Sequence, residues 1–121
     1  MSERTPVAQE EWLFRRCYLP QKKYFDPNGN PTSRIFKLRP KDNGELSVDV
    51  KSMSTSEKSI KDSAKFFLFE LPNAGVLDIE GLNTLHDPLP NQANDAHAVI
   101  IGCSEEDEIK PNQLAKIAKL V

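Results

Sequence analysis

The stretch SRIFKLRPKDNGELSVDV, residues 33–50, decides how the chain is read. Its second half alternates cleanly, with Leu46, Val48 and Val50 on one side and Ser47 and Asp49 on the other. That is the period-two pattern of a half-buried strand. Asp42-Asn43-Gly44 just before it is hairpin-turn chemistry, since Asn-Gly tolerates the positive φ angles of a tight two-residue loop. The preceding segment also alternates, with Ser33, Ile35, Lys37 and Arg39 against Arg34, Phe36 and Leu38. The whole stretch therefore predicts a β-hairpin, and with it a largely antiparallel sheet.

Working outward, Trp12–Leu19 reads as a strand. Trp12, Phe14, Arg16 and Tyr18 fall on one face, and Leu13, Arg15, Cys17 and Leu19 on the other. Both faces are partly apolar, which suits a central strand; a helix over Gln9–Arg16 is the competing reading. Residues 25–33, FDPNGNPTS, are loop chemistry throughout. After the hairpin, Ser54 and Glu57 have the spacing of a capping box opening a short helix, with Ser56 and Ser59 as a poorer option and Ile60 and Ala64 as apolar anchors. KFFLFEL (65–71) is too apolar for a surface strand, and the turn PNAG ends it. Val76–Ile79 reads as a further strand, Asn83–Asp95 as a long polar connection, and HAVIIGC (97–103) as a core strand. The last element is a helix from Pro111, with Leu114, Ile117, Ala118 and Val121 on one apolar face and Lys116 and Lys119 near its C-terminal end.

The fold class that follows is α+β: a single small domain with a largely antiparallel five- to six-stranded sheet and two short helices. Residues 1–9 read as a flexible N-terminal arm and 10–121 as the domain. A length of 121 residues suffices for one core without staples. Charged residues make up 28%, apolar residues 38%, and the formal net charge is −2, so binding to nucleic acid through bulk charge is not indicated. No apolar run approaches the roughly 18 residues of a membrane span, and the polar N-terminus lacks the pattern of a signal peptide; a cytoplasmic protein with no membrane association is expected. Cys17 and Cys103, far apart in apolar segments, read as buried thiols.

Three groups of residues could carry chemistry. His86, Asp87, Asp95 and His97 combine imidazole and carboxylate, which can exchange protons or hold a metal, but HDPLPNQANDAH matches no ligand spacing. Asp87 before Pro88 and the Asn94-Asp95 pair explain themselves as turn formers. Arg15, Arg16, Arg34 and Arg39 are interleaved with Trp12, Phe14, Tyr18 and Phe36. Arginines among aromatics on a sheet face can bind single-stranded nucleic acid or phosphate, or can simply cover apolar surface with their stems. The hydroxyls at 31–33 and 52–56 belong to no nucleophile motif, and no glycine-rich phosphate loop is present. No catalytic residue, metal or cofactor is expected.

The segments LFRR, PTSRIFKLR, GELSVDV, DPLPNQANDAHAVIIG and LAKIAKLV, in that order, resemble small bacterial proteins of uncharacterised function. Those carry an Arg near the first strand, an S-x-x-F segment, an L-S-V-D strand and a proline-rich lead into H-A-x-I-x-G. Arg15, Ser33 and Phe36, Leu46–Asp49 and His97–Gly102 hold those positions. The resemblance implies a bacterial or phage-related accessory component encoded beside larger partners, and implies no activity. A weaker likeness is to ADP-ribosyltransferase-like domains, with Arg15 or Arg16 and Ser33 in the matching places. That pattern also needs a late-strand Glu, for which only Glu70 and Glu80 are available.

The expectation is therefore a non-enzymatic accessory or adaptor protein that docks on a larger protein partner through Trp12, Phe14 and Tyr18. The first alternative is a ligand-binding or enzymatic cleft using Arg15 or Arg16, Ser33, Asp87 and His97. The second is single-stranded nucleic-acid binding through the arginine–aromatic face, Arg34 included. The oligomeric state is left open by the sequence.

Overall fold

In the computed structural model, residues 4–121 are described. The elements, in chain order, are β1 (Thr5–Pro6), β2 (Trp12–Tyr18), β3 (Glu45–Val50), α1 (Ser56–Ile60), β4 (Phe66–Pro72), α2 (Asn73–Leu77), β5 (Asn83–His86), β6 (His97–Ile101), α3 (Ile109–Ile117) and β7 (Lys119–Leu120). Short 3-10 turns fill much of the chain between β2 and β3, at Gln21–Tyr24, Ser33–Phe36 and Pro40–Asp42. The seven strands form one sheet in the order β1-β5-β6-β3-β2-β4-β7, and every pairing is antiparallel. The α+β class and the antiparallel sheet agree with the sequence; the strand and helix counts are seven and three. No helix among the described residues is long and apolar enough to cross a membrane.

Four of the runs read as strands are strands, at Trp12–Tyr18, Glu45–Val50, Phe66–Pro72 and His97–Ile101. β2, β4 and β6 occupy the predicted segments, and the alternation in β2 puts Leu13 and Cys17 into the core beside Phe67, Phe69 and Leu71 of β4. Leu46, Val48 and Val50 of β3 join them from the other side. α2, α3 and the Ser33–Phe36 turn pack on this face of the sheet, with α3 lying against the turn. The core reaches Val76 in α2 and Leu114 and Ala115 in α3.

The hairpin expected over 33–50 is half right. Asn43 and Gly44 do take positive φ, 53° and 78°, but the turn joins a 3-10 turn to β3 rather than two strands. The reason lies in Ile35 and Phe36, which are consecutive and only 1% and 0% exposed. A strand sends neighbours to opposite faces; a single turn of 3-10 helix packed on α3 buries both at once.

Other segments also differ from expectation. Val76–Ile79 is not a strand: α2 covers Asn73–Leu77 and buries Asn73 and Val76 fully. Gly75 there lies against Ile117 of α3, where an added Cβ would come within 2.7 Å of a side-chain carbon. The connection read over 83–95 contains β5, which pairs with β6 from Asn83–Ile101 to His86–Ala98. α1 starts one residue later than the capping box predicts. Thr55 caps it by accepting the Lys58 amide at 3.2 Å, while Ser54 turns to Ser59 at 2.7 Å. α3 begins two residues before Pro111, where the Asp107 carboxylate accepts the Ile109 and Lys110 amides. It ends at Ile117, so Lys119 lies in β7 opposite Glu70, and Val121 is exposed.

Within the span read as a flexible arm, residues 1–3 lie outside the described residues. Thr5 and Pro6 form the edge strand β1 against β5, Val7 is buried, and Arg4 forms ion pairs with Glu45 and Asp87. Asn73 completes the attachment from α2, donating to the Val7 and Ala8 carbonyls at 3.0 Å each.

Candidate functional site

The sheet is forked. β2 pairs with β4 along all seven residues, yet meets β3 only at Leu13–Val50 and Phe14–Asp49. Beyond that point β2 runs on beside β4, while β3 stays with β6. The gap between them opens into a cleft of about 720 Å³, within the range of ligand-holding pockets. Its walls are residues 14–18 of β2, residues 47–49 of β3, the segment between Lys23 and Asp42, and parts of α1, β4 and the 89–97 loop.

Arg15 occupies the fork. Its alternation places it on the core side of β2 between Leu13 and Cys17. There its Nε donates to the Ile35 carbonyl at 2.9 Å and its Nη1 to the Ser47 carbonyl at 2.8 Å. The guanidinium thereby ties the Ser33–Phe36 turn to β3 and supplies donors to both backbone carbonyls. Burial lowers its pKa from the ordinary guanidinium value, although an arginine stays charged at neutral pH. Among the described residues no carboxylate lies within ion-pair distance of it.

The cleft gathers cations. Arg15, Arg16, Arg34 and Arg39 all line it, joined by Lys23, Lys37 and Lys61. Among the described residues only two carboxylates share the walls, and both are engaged. Asp42 accepts the Arg39 backbone amide at 2.8 Å and approaches its Nε at 3.5 Å. Asp49 accepts from Ser59 Oγ at 2.7 Å and Asn94 Nδ2 at 3.1 Å. Thus, among the described residues, seven of sixteen basic side chains and two of seventeen acids line one concavity. A concave wall of one sign focuses its field on whatever enters.

At one end the cleft carries an aromatic step. Tyr18 and Phe66 sit 4.8 Å apart at 46°, and the Arg16 guanidinium lies 4.8 Å over the Phe66 ring. Arg16 also reaches the Ser59 carbonyl at 3.4 Å. Tyr18 remains 55% exposed.

Of the residues singled out in the sequence, Phe14, Arg15, Arg16, Tyr18, Arg34 and His97 come together around this cleft, while Trp12, Ser33 and Asp87 are not among its walls. His97 is held rather than free: Nδ1 lies 2.8 Å from the Asp87 carbonyl and Nε2 3.3 Å from Ser47 Oγ. The Asp87 carboxylate, 3.6 Å from Nδ1, is turned to Arg4. His86 sits apart, its Nε2 2.6 Å from the Asp95 carbonyl. Ser33 opens a 3-10 turn instead of a strand. Glu70 pairs with Lys51, and Glu80 is in a turn after α2. Ser33, Glu70 and Glu80 are all outside the cleft's walls. Trp12 and Tyr18 lie at opposite ends of β2, with Phe14 buried between them.

Sequence reading missed Lys23, Lys37 and Lys61, which carry no local signal separating them from solvated surface lysines. Cys17, at the cleft's inner wall, is a free buried thiol whose pKa burial pushes up to about 11, which makes it a poor nucleophile. Among the described residues no group of three or more His, Cys, Asp or Glu is placed to hold a metal ion. Comparison of the chain with protein-family models, with curated proteins and with solved structures finds no match.

Proposed function

We propose that the protein is a small non-enzymatic binding module whose basic cleft holds a phosphate-bearing anionic ligand. One observation carries this reading: an acidic chain concentrates seven cations and two already engaged carboxylates around a single concavity. Like charges crowded in one place repel, and an anion relieves that cost where it binds. Arg15 adds a fixed fork of donors, since two of its five N–H groups are held by backbone carbonyls and its charge meets no carboxylate among the described residues. The test is thermal unfolding with inorganic tripolyphosphate at low ionic strength. Tripolyphosphate should raise Tm by several degrees, since saturating a site a hundredfold above Kd adds about 2.7 kcal/mol. The Lys37→Glu/Lys61→Glu double variant should lose that rise. An unchanged Tm in the unaltered protein would remove the proposal.

The second reading is an accessory protein docking on a larger protein partner, and the exposure of Trp12 and Tyr18 favours it, at 36% and 55%. Their separation along β2 breaks that surface into two points, which is why the cleft ranks first.

A further inference from the structure

We infer that the ligand of the cleft is single-stranded nucleic acid, a deepening that rests on the anion-binding reading above. Seven cations are more than one phosphate group can engage, so the cleft suits a chain of phosphates. A chain of phosphates alone has no use for the exposed aromatic at the cleft's end. Tyr18 backs onto Phe66, whose ring is also covered by the Arg16 guanidinium. Tyr18 itself remains 55% exposed, on walls that Arg16 and Lys61 also line. A positively charged groove that tracks the backbone, with an aromatic on which an unpaired base stacks, is the physical basis of single-strand binding. A duplex keeps its base faces inside the stack, where Tyr18 cannot reach them. Among the described residues outside the cleft's walls, nine basic side chains stand against fifteen acidic ones, so the balance of charge there disfavours a polyanion.

The experiment is fluorescence anisotropy of the full chain with labelled dT and rU 12-mers, a matched 12-base-pair duplex, inorganic tripolyphosphate and a phosphoserine peptide as competitors. At least one 12-mer should bind at low salt, and the duplex more weakly. For about four phosphate contacts, raising salt from 50 to 200 mM should weaken single-strand binding by roughly 50-fold. Tyr18→Ala should weaken it by roughly tenfold while leaving the tripolyphosphate-induced rise in Tm intact. Lys37→Glu/Lys61→Glu should abolish both, with circular dichroism unchanged. If neither 12-mer binds but tripolyphosphate still raises Tm, the nucleic-acid inference falls and the anion site stands. If neither ligand acts, both fall. Equal binding of the duplex, an unchanged affinity in Tyr18→Ala, or a phosphopeptide that outcompetes the 12-mer at equal phosphate would each overturn the inference.

Discussion

At the scale of single residues, Arg15 has two roles that pull on one side chain. Its hydrogen bonds to Ile35 and Ser47 close the fork between β2 and β3, and its charge faces the cleft. Arg15→Leu should therefore unfold at lower denaturant, by about 2 kcal/mol or more, because two carbonyls lose their donors without water replacing both. Arg15→Lys should recover only part of this, since an ammonium cannot span both carbonyls as a planar fork does. Urea titration measures both. Cys17 supplies a pH signature. Its thiol pKa is near 9.0 in the unfolded chain and about 11 in the fold, so the folded state holds its proton more tightly. The associated stability is fully present below pH 9 and is lost as pH rises from 9 to 11, since the unfolded thiol ionises first. Stability measured across pH 8–11 should fall more steeply for the native chain than for Cys17→Ala; parallel curves would refute the assignment.

At the scale of elements, short pieces depend on polar anchors rather than on their own length. Helices of five residues, such as α1 and α2, are far below the length at which an isolated helix persists. α1 is fastened by Thr55 at its start and by Ser59, which bonds both Ser54 and Asp49. α2 is fastened by Asn73, fully buried, whose amide holds the Val7 and Ala8 carbonyls and whose carbonyl oxygen takes the Thr84 hydroxyl. Asn73→Ala should cost about 3 kcal/mol, as two buried carbonyls and one hydroxyl lose partners together. Hydrogen exchange should then rise first in residues 5–8 and in β5. Uniform acceleration across the sheet would show instead that Asn73 serves global packing and not the docking of β1.

At the scale of the molecule, the charge distribution separates binding from stability. Lys37 and Lys61 are exposed and make no ion pair among the described residues. Reversing both should leave unfolding free energy within about 0.5 kcal/mol of the native value, or slightly raise it through reduced repulsion, while the tripolyphosphate response disappears. Paired chemical denaturation and ligand titration would check this; a large loss of stability would mean these lysines support the fold.

The antiparallel α+β class, the strands β2, β3, β4 and β6, and the Asn43-Gly44 turn were legible in the sequence. Alternation, apolar runs and turn residues are local patterns that act within a few positions, so they can be read without knowing what lies nearby. The remainder could not be read that way. Ile35 and Phe36 alternate like a strand but are buried together because α3 offers a surface that takes both. β1 and β7 are two residues long and are strands only because β5 and β4 present open edges to them. The four arginines were visible as a group among aromatics. Their meeting with Lys23, Lys37 and Lys61 depends on β2 parting from β3 and on the 3-10 segment folding back beside the gap. The sequence by itself determined which segments bury an apolar face; only the tertiary structure decided which charges share one cleft, because Coulomb interactions depend on distance in space and not on separation along the chain.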